Sequence, residues 1–272
     1  MTQTMATQSN PWLELKNIEV WQNNLALVKG LSLDLVLGES TTVLGPNGSG
    51  KSTLVKLIER RLHPIVKPES HLRLFGSENI HLQSLRQRIG ILNSELDERI
   101  PGRCLVREVV LSGCFGSTRL GRGQTPSLQQ NNAATDVLKR FELNELEERQ
   151  YCQLSDGQKR RLLIARALIH RPEVLILDEP ARALDLRACH QLLGLISGLC
   201  QEGVTVVQVT HRIETIVPEM KRLVYLKDGG VIDDGSPQSL LKSDKLSALF
   251  DTDLTVVRAN GFYQVLPASQ MN

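Results

Sequence analysis

The chain has 272 residues, 41% of them hydrophobic and 23% charged, the profile of a globular protein with a full core rather than a fibrous or disordered one. A net charge of +2 gives no electrostatic case for a nucleic-acid partner, and no run approaches the ~18 apolar residues that a membrane span requires. The five cysteines, Cys104, Cys114, Cys152, Cys189 and Cys200, form no C-x-x-C pair and have no histidine at zinc-motif spacing, so reduced thiols are expected.

In chain order, residues 1–10 are polar, lack the basic and apolar regions of a secretory signal, and are expected to form a disordered tail. From Trp12 to Val36 two short segments rich in Leu, Ile and Val flank the turn-like Gln22-Asn23-Asn24. Alternation in Leu13-Glu14-Leu15-Lys16 and in Leu31-Ser32-Leu33-Asp34-Leu35 predicts an antiparallel pair of half-buried strands. The β-branched run Thr41-Thr42-Val43-Leu44 leads into Gly45-Pro46-Asn47-Gly48-Ser49-Gly50-Lys51-Ser52, and Leu54, Leu57, Ile58 and Leu62 then recur at helical spacing. Weaker strands are expected at Leu72–Phe75 and Ile89–Leu92.

Residues 95–160 carry more charge, Gln and Asn. An inserted, largely helical subdomain is predicted there, with helices near Val106–Ser112 and Ala133–Phe141 and a polar loop over Gly113–Gln130. Beyond it, a helix from Gly157 to Ile169, the apolar strand Val174–Leu177, a helix over Arg187–Cys200 and the strand Val204–Val209 alternate as in an α/β core with a buried parallel sheet. The end, Val224–Val265, reads as short strands turning at Asp228-Gly229-Gly230 and Asn260-Gly261, with a tail at 267–272.

Gly45 to Ser52 satisfies G-x-x-x-x-G-K-[ST] in full. Glycines let the backbone curl so that successive N–H groups form an anion nest, and the following helix adds the positive end of its dipole. Lys51 can reach the terminal phosphates of a nucleoside triphosphate, the Ser52 hydroxyl can ligate Mg²⁺, and Thr53 completes the loop. Asp178-Glu179 ends a buried strand, where an open α/β sheet places its ligands. Asp178 suits Mg²⁺, and Glu179 is placed to act as general base on an attacking water.

With Leu154-Ser155-Asp156-Gly157-Gln158 the chain resembles the ABC ATPase family, whose signature is usually written LSGGQ. Its other elements follow in order: Ala183-Leu184-Asp185 resembles the D-loop, and His211, in Val209-Thr210-His211, resembles the switch histidine that orients the attacking water. The resemblance covers residues 12–250. It implies a P-loop NTPase core with an antiparallel β subdomain and an inserted helical subdomain, forming one ABC ATPase domain over 11–266. It also implies that Ser155, Asp156, Gly157 and Gln158 serve the nucleotide of a second cassette. The chain is then half of a head-to-tail dimer, most simply a homodimer, closing over two Mg-ATP.

Three positions depart from the family's pattern. Ser94 stands where a glutamine is expected to touch Mg²⁺ and report to the membrane partner. Asp156 replaces the usual signature glycine. The expected adenine-stacking tyrosine aligns with Gln22, which leaves the neighbouring Trp21 as the aromatic candidate.

The resemblance implies an ATPase subunit of an ABC transporter, energising a membrane permease and held on the inner face of the cell membrane by it. Val106–Gly113, Arg160-Arg161 and Ile164–Leu168 resemble metal-chelate importer ATPases, and the chain also resembles molybdenum-type cassettes, which points to import, with a substrate-binding protein as a further partner and iron-chelate or molybdate cargo as one reading. Two rivals are a ribosome- or nucleic-acid-acting ABC ATPase, disfavoured by the single cassette and small net charge, and a degenerate regulatory subunit, disfavoured by Lys51, Asp178, Glu179 and His211.

Overall fold

The computed structural model describes residues 11–268. The tail expected at 1–10, residues 269–272 of the tail expected at 267–272, and the side chain of Ser94 lie outside the described residues, while Pro267 of the second tail is the last residue of a strand. Strands β1 (Pro11–Gln22) and β2 (Leu25–Val36) form the predicted antiparallel pair, each longer than the sequence suggested. They are joined by Asn23 and Asn24, both at positive φ, the conformation a two-residue hairpin turn demands and asparagine tolerates. Strand β3 (Thr41–Leu44) enters the glycine loop, and helix α1 (Lys51–Ile58) leaves it. Strand β4 (His71–Leu74) pairs with β1, giving a three-stranded sheet ordered β2-β1-β4.

Helix α2 (Leu82–Arg88), strand β5 (Ile89–Leu92) and helix α3 (Ser94–Arg99) lead to the helical insert. Its main helices are α4 (Val106–Ser112), α5 (Leu128–Arg140) and α6 (Asp156–Leu168). Helix α5 starts five residues before its predicted position. Ser127 Oγ accepts the Gln130 N–H at 3.2 Å and Gln130 Oε1 accepts the Ser127 N–H at 2.9 Å, a reciprocal cap that opens a helix inside a polar stretch read as loop.

Strand β6 (Val174–Asp178), helix α7 (Leu186–Gln201) and strand β7 (Thr205–Thr210) follow as expected. Strands β8 (Arg222–Lys227) and β9 (Gly230–Gly235) complete a six-stranded sheet in the order β5-β6-β7-β3-β8-β9, with β9 antiparallel at its edge. Two short helices, α8 (Pro237–Leu240) and α9 (Ser243–Phe250), stand where only strands and turns were expected. Ser236 caps α8 and proline occupies its first turn, a start signal that is legible in the sequence. The hairpin β10 (Leu254–Ala259) and β11 (Phe262–Pro267) ends the described chain.

The inner strands β3, β6 and β7 are buried on both faces, which explains the continuous apolar run of β6. Alternate residues feed two cores. Val174, Ile176, Val207 and Val224 join the β1–β2–β4 layer and α1, while Leu175, Leu177, Val206 and Leu223 join the core shared with α6, α7 and the insert. Two layers thus grip the carboxyl ends of β3, β6 and β7, where the loops carrying the chemistry emerge. Among the described residues no helix is long and apolar enough to cross a membrane.

Candidate functional site

The glycine loop continues β3 beyond its last paired residue: the Gly45 N–H donates to the Thr210 carbonyl at 3.3 Å. A Cβ on Gly45 would lie 2.1 Å from the Leu226 carbonyl oxygen, so a side chain there would expel the loop from the sheet. Gly50, at φ 101°, starts α1 with no side-chain cap, which leaves the first N–H groups of the helix to a ligand. Lys51 is buried and donates through Nζ to the carbonyls of Gly45 (2.8 Å) and Pro46 (2.7 Å). Burial lowers its amino pKa, and the charges of Glu179 and Asp178 oppose that shift.

Asp178, the last residue of β6, is 5% exposed. Burial and the neighbouring Glu179 charge push its carboxyl pKa up to about 6 against the opposing pull of Lys51. The Glu179 N–H donates to the Val209 carbonyl at 2.8 Å, and its φ of 48° turns the chain out of the sheet. Both carboxylate oxygens are engaged. Oε1 accepts the His211 main-chain N–H at 3.1 Å and lies 2.7 Å from His211 Nδ1, and Oε2 accepts from Thr210 Oγ1 at 3.2 Å. The parallel pairing of β6 with β7 brings these two strand ends side by side.

These groups line a cleft of about 1020 Å³. Asn47, Gly48, Gly50, Lys51, Ser52 and Thr53 form its floor, Asp178, Glu179 and His211 one wall, and Leu25, Ala26 and Leu27 another. Gly45, Pro46 and Ser49 sit behind the floor and do not line it. Trp21 is exposed and is not among the lining residues, although its cross-strand partner Ala26 is. The sequence did not single out Leu25–Leu27, Arg182 or Arg212, which also line the cleft. They belong to no phosphate-binding motif, and only the packing of the β1–β2 hairpin, of loop 179–185 and of the loop that follows β7 brings them there.

The donor set fits Mg²⁺. Ser52 and Asp178 line the cleft together, the Asp178 carboxylate is buried beside Glu179, and hydroxyl and carboxylate oxygens are hard ligands. No group of three or more His, Cys, Asp or Glu that could cage a metal occurs among the described residues. Two protein oxygens, with water and phosphate completing the shell, is the pattern magnesium favours.

The signature segment lies elsewhere. Ser155 caps α6, with Oγ accepting the Gln158 N–H at 3.3 Å and Gln158 Oε1 accepting the Ser155 N–H at 2.9 Å. The helix opens at Asp156, one residue before its expected start. Asp156 is exposed and lies 3.8 Å from Lys159 Nζ. Gly157 allows α6 to approach α7, since a Cβ there would lie 2.8 Å from that of Ala188. Asp185 caps α7, accepting the Ala188 N–H at 2.7 Å. None of Ser155, Asp156, Gly157, Gln158 or Asp185 lines the cleft that Lys51 lines.

A family model described as ABC transporter matches residues 28–182. The cobalt import ATP-binding protein CbiO of Rhodobacter capsulatus is 34% identical over 215 residues, 78% of this chain and 73% of that one. A putative metal-chelate type ABC transporter, solved in an inward-facing conformation, superposes with a TM-score of 0.76 at 27% identity, covering 96% of this chain and 99% of that one. The ATP-binding cassette MJ0796, solved as a dimer in a post-hydrolysis state bound to ADP and Pi, superposes with a TM-score of 0.68 at 28% identity, over 82% of this chain and 98% of that one.

Proposed function

Because the chain belongs to the ABC transporter family, as an ATP-binding and ATP-hydrolysing subunit, we propose that it energises import through a membrane permease, and that it does so as a head-to-tail pair closing over two Mg-ATP. The observation that carries this reading is the separation of the two halves of the site. Lys51, Asp178, Glu179 and His211 line one cleft, and Ser155 stands outside it. A second copy, turned by a two-fold axis, would bring its Ser155 and the N-terminus of its α6 to the open side of the cleft. The dimeric cassette bound to ADP and Pi supports that arrangement, and one chain satisfying both roles favours a homodimer.

In the cleft, the loop N–H groups and Lys51 hold the phosphates, and Lys51 exchanges its two carbonyl acceptors for phosphate oxygens. Ser52 and Asp178 would hold Mg²⁺, which neutralises charge on the phosphates when bound. Glu179 accepts a proton from the attacking water as its oxygen bonds the γ-phosphorus. The bond to the bridging oxygen breaks and ADP leaves. His211, anchored to Glu179 through both its ring and its main chain, keeps that carboxylate and the water in line.

The membrane partner has a place to dock. A cavity of about 220 Å³ between β5, α3 and α6 is lined by Asn93, Leu96, Arg99, Arg166 and His170 among others, and Asn93 is next in sequence to Ser94, the position the resemblance links to the membrane partner. The likeness to a cobalt import protein and to a metal-chelate type transporter supports import of a metal or its chelate. It supports an address on the inner face of the cell membrane, reached through the permease, and a substrate-binding protein as third component. Co-purification with a tagged permease, lost when the exposed Arg99 is replaced by Glu, tests the reading. Retention of the permease by that variant would contradict it.

A further inference from the structure

Four cationic side chains line the cleft: Lys29, Lys51, Arg182 and Arg212. Lys51 is bonded to the loop carbonyls of Gly45 and Pro46. Arg212 donates through Nε to Glu214 Oε1 at 2.8 Å and through Nη1 to the Ala181 carbonyl at 3.2 Å. Lys29 stands far along the chain on β2, beside the apolar wall. Arg182 alone among them rides on the loop that carries Glu179, and among the described residues its guanidinium makes no hydrogen bond or ion pair.

The backbone under that side chain is held from several directions. The Arg182 N–H donates to the Glu179 carbonyl at 3.1 Å. Its own carbonyl accepts from Arg160 Nη2 at 3.4 Å, and the preceding carbonyl, of Ala181, accepts from Arg212. The next residue, Ala183, is fixed at φ 62°, a conformation that alanine adopts only at a cost of about 1 kcal/mol or more. A loop clamped this closely, with an exposed and unpaired guanidinium at its tip facing a phosphate cleft, is arranged to present the charge. Among the described residues neither Asp178 nor Glu179 forms an ion pair with it, and both oxygens of Glu179 bond instead to Thr210 and His211.

We propose that Arg182 is a phosphate-contacting residue of the nucleotide site, its guanidinium binding the terminal phosphate oxygens of the ATP held in this cleft. The proposal rests on the reading of the cleft as the nucleotide site. A planar guanidinium matches two phosphate oxygens at once, as an ammonium does not. Its position three residues after Glu179 in the same loop assigns it to the γ-phosphate end rather than to the base. It would thereby distinguish ATP from ADP, adding one contact that product cannot make.

The test is equilibrium binding of Mg-ATP and Mg-ADP to Glu179→Gln protein, kept dilute enough to be monomeric by light scattering, with and without Arg182→Ala. The expected result is Mg-ATP weakened by about tenfold or more and Mg-ADP by less than about twofold, with Arg182→Lys between the two. Unchanged Mg-ATP affinity, or equal weakening of both nucleotides, overturns the assignment. Lys51→Ala separates this from the site reading. If it abolishes Mg-ATP binding while Arg182→Ala does not, the cleft stands and Arg182 is excluded; if neither changes binding, the cleft itself is misassigned. Should Arg182→Ala lower the unfolding midpoint, Arg182→Lys and Arg182→Gln carry the same comparison.

Discussion

His211 Nδ1 lies 2.7 Å from Glu179 Oε1, and the same oxygen accepts the His211 main-chain N–H at 3.1 Å. The two residues come from adjacent strand ends and act as one device, so their substitutions should not multiply. Glu179→Gln is expected to lower kcat roughly a hundredfold or more while Mg-ATP still binds. His211→Ala should lower kcat comparably, and the double variant should be little slower than the slower single one. Single-turnover rates of the four proteins check this; effects that multiply fully would show two independent contributions.

Asp178 supplies a pH dependence. Its folded pKa of about 6 lies above its ordinary value of 3.8, so the folded state holds this proton more tightly than the unfolded one. Between about pH 4 and 6 the nucleotide-free protein therefore loses stability from this group as pH rises, and above 6 a penalty on the order of 2–3 kcal/mol persists. Asp178→Asn should raise the urea midpoint at pH 7.5 without nucleotide, and abolish the gain in Mg²⁺-dependent ATP affinity. In the unmodified protein that Mg²⁺ dependence should fade as pH drops through 6. An Asn variant no more stable than the parent would contradict the buried, unneutralised state of this carboxylate.

Tyr151 ties the insert to α3. Its hydroxyl donates to Asp97 Oδ1 at 2.7 Å while its ring is 3% exposed, and burial together with that acceptor raises the phenol pKa. Tyr151→Phe keeps the ring and removes the bond, at an expected cost of about 1–2 kcal/mol in urea unfolding. A difference below about 0.3 kcal/mol would mean that solvent replaces the bond without loss.

Much of this was legible in the residues, for physical reasons. The β1–β2 hairpin declared itself through alternation around Asn23-Asn24, and the buried strand β6 through the uninterrupted apolar run Val174–Leu177. The phosphate loop is a local motif whose chemistry is fixed by its own backbone. Helix α5 begins ahead of its apolar pattern because its first turn is polar and is held by the Ser127–Gln130 cap rather than by burial. Helices α8 and α9 leave little pattern in the sequence because each is short and buries few side chains. In the site, the partnership of Glu179 with His211 depends on which strands are neighbours, a long-range fact that no local pattern encodes. The same holds for Arg182 and Arg212. Trp21 is near the expected aromatic in sequence only, and the structure sets Leu25, Ala26 and Leu27 on the cleft wall instead.

If each ATP site is built from the Lys51 cleft of one copy and the Ser155 helix end of another, Lys51→Ala and Ser155→Arg proteins should complement each other in an ATPase assay. Each alone should be nearly inactive, since every site in either dimer is broken. In the mixed dimer one site carries both defects and the other carries neither, so mixing equal amounts should restore a substantial fraction of turnover. Mixed dimers that form yet recover no turnover, or a Ser155→Arg protein as active as the parent, would contradict the composite site.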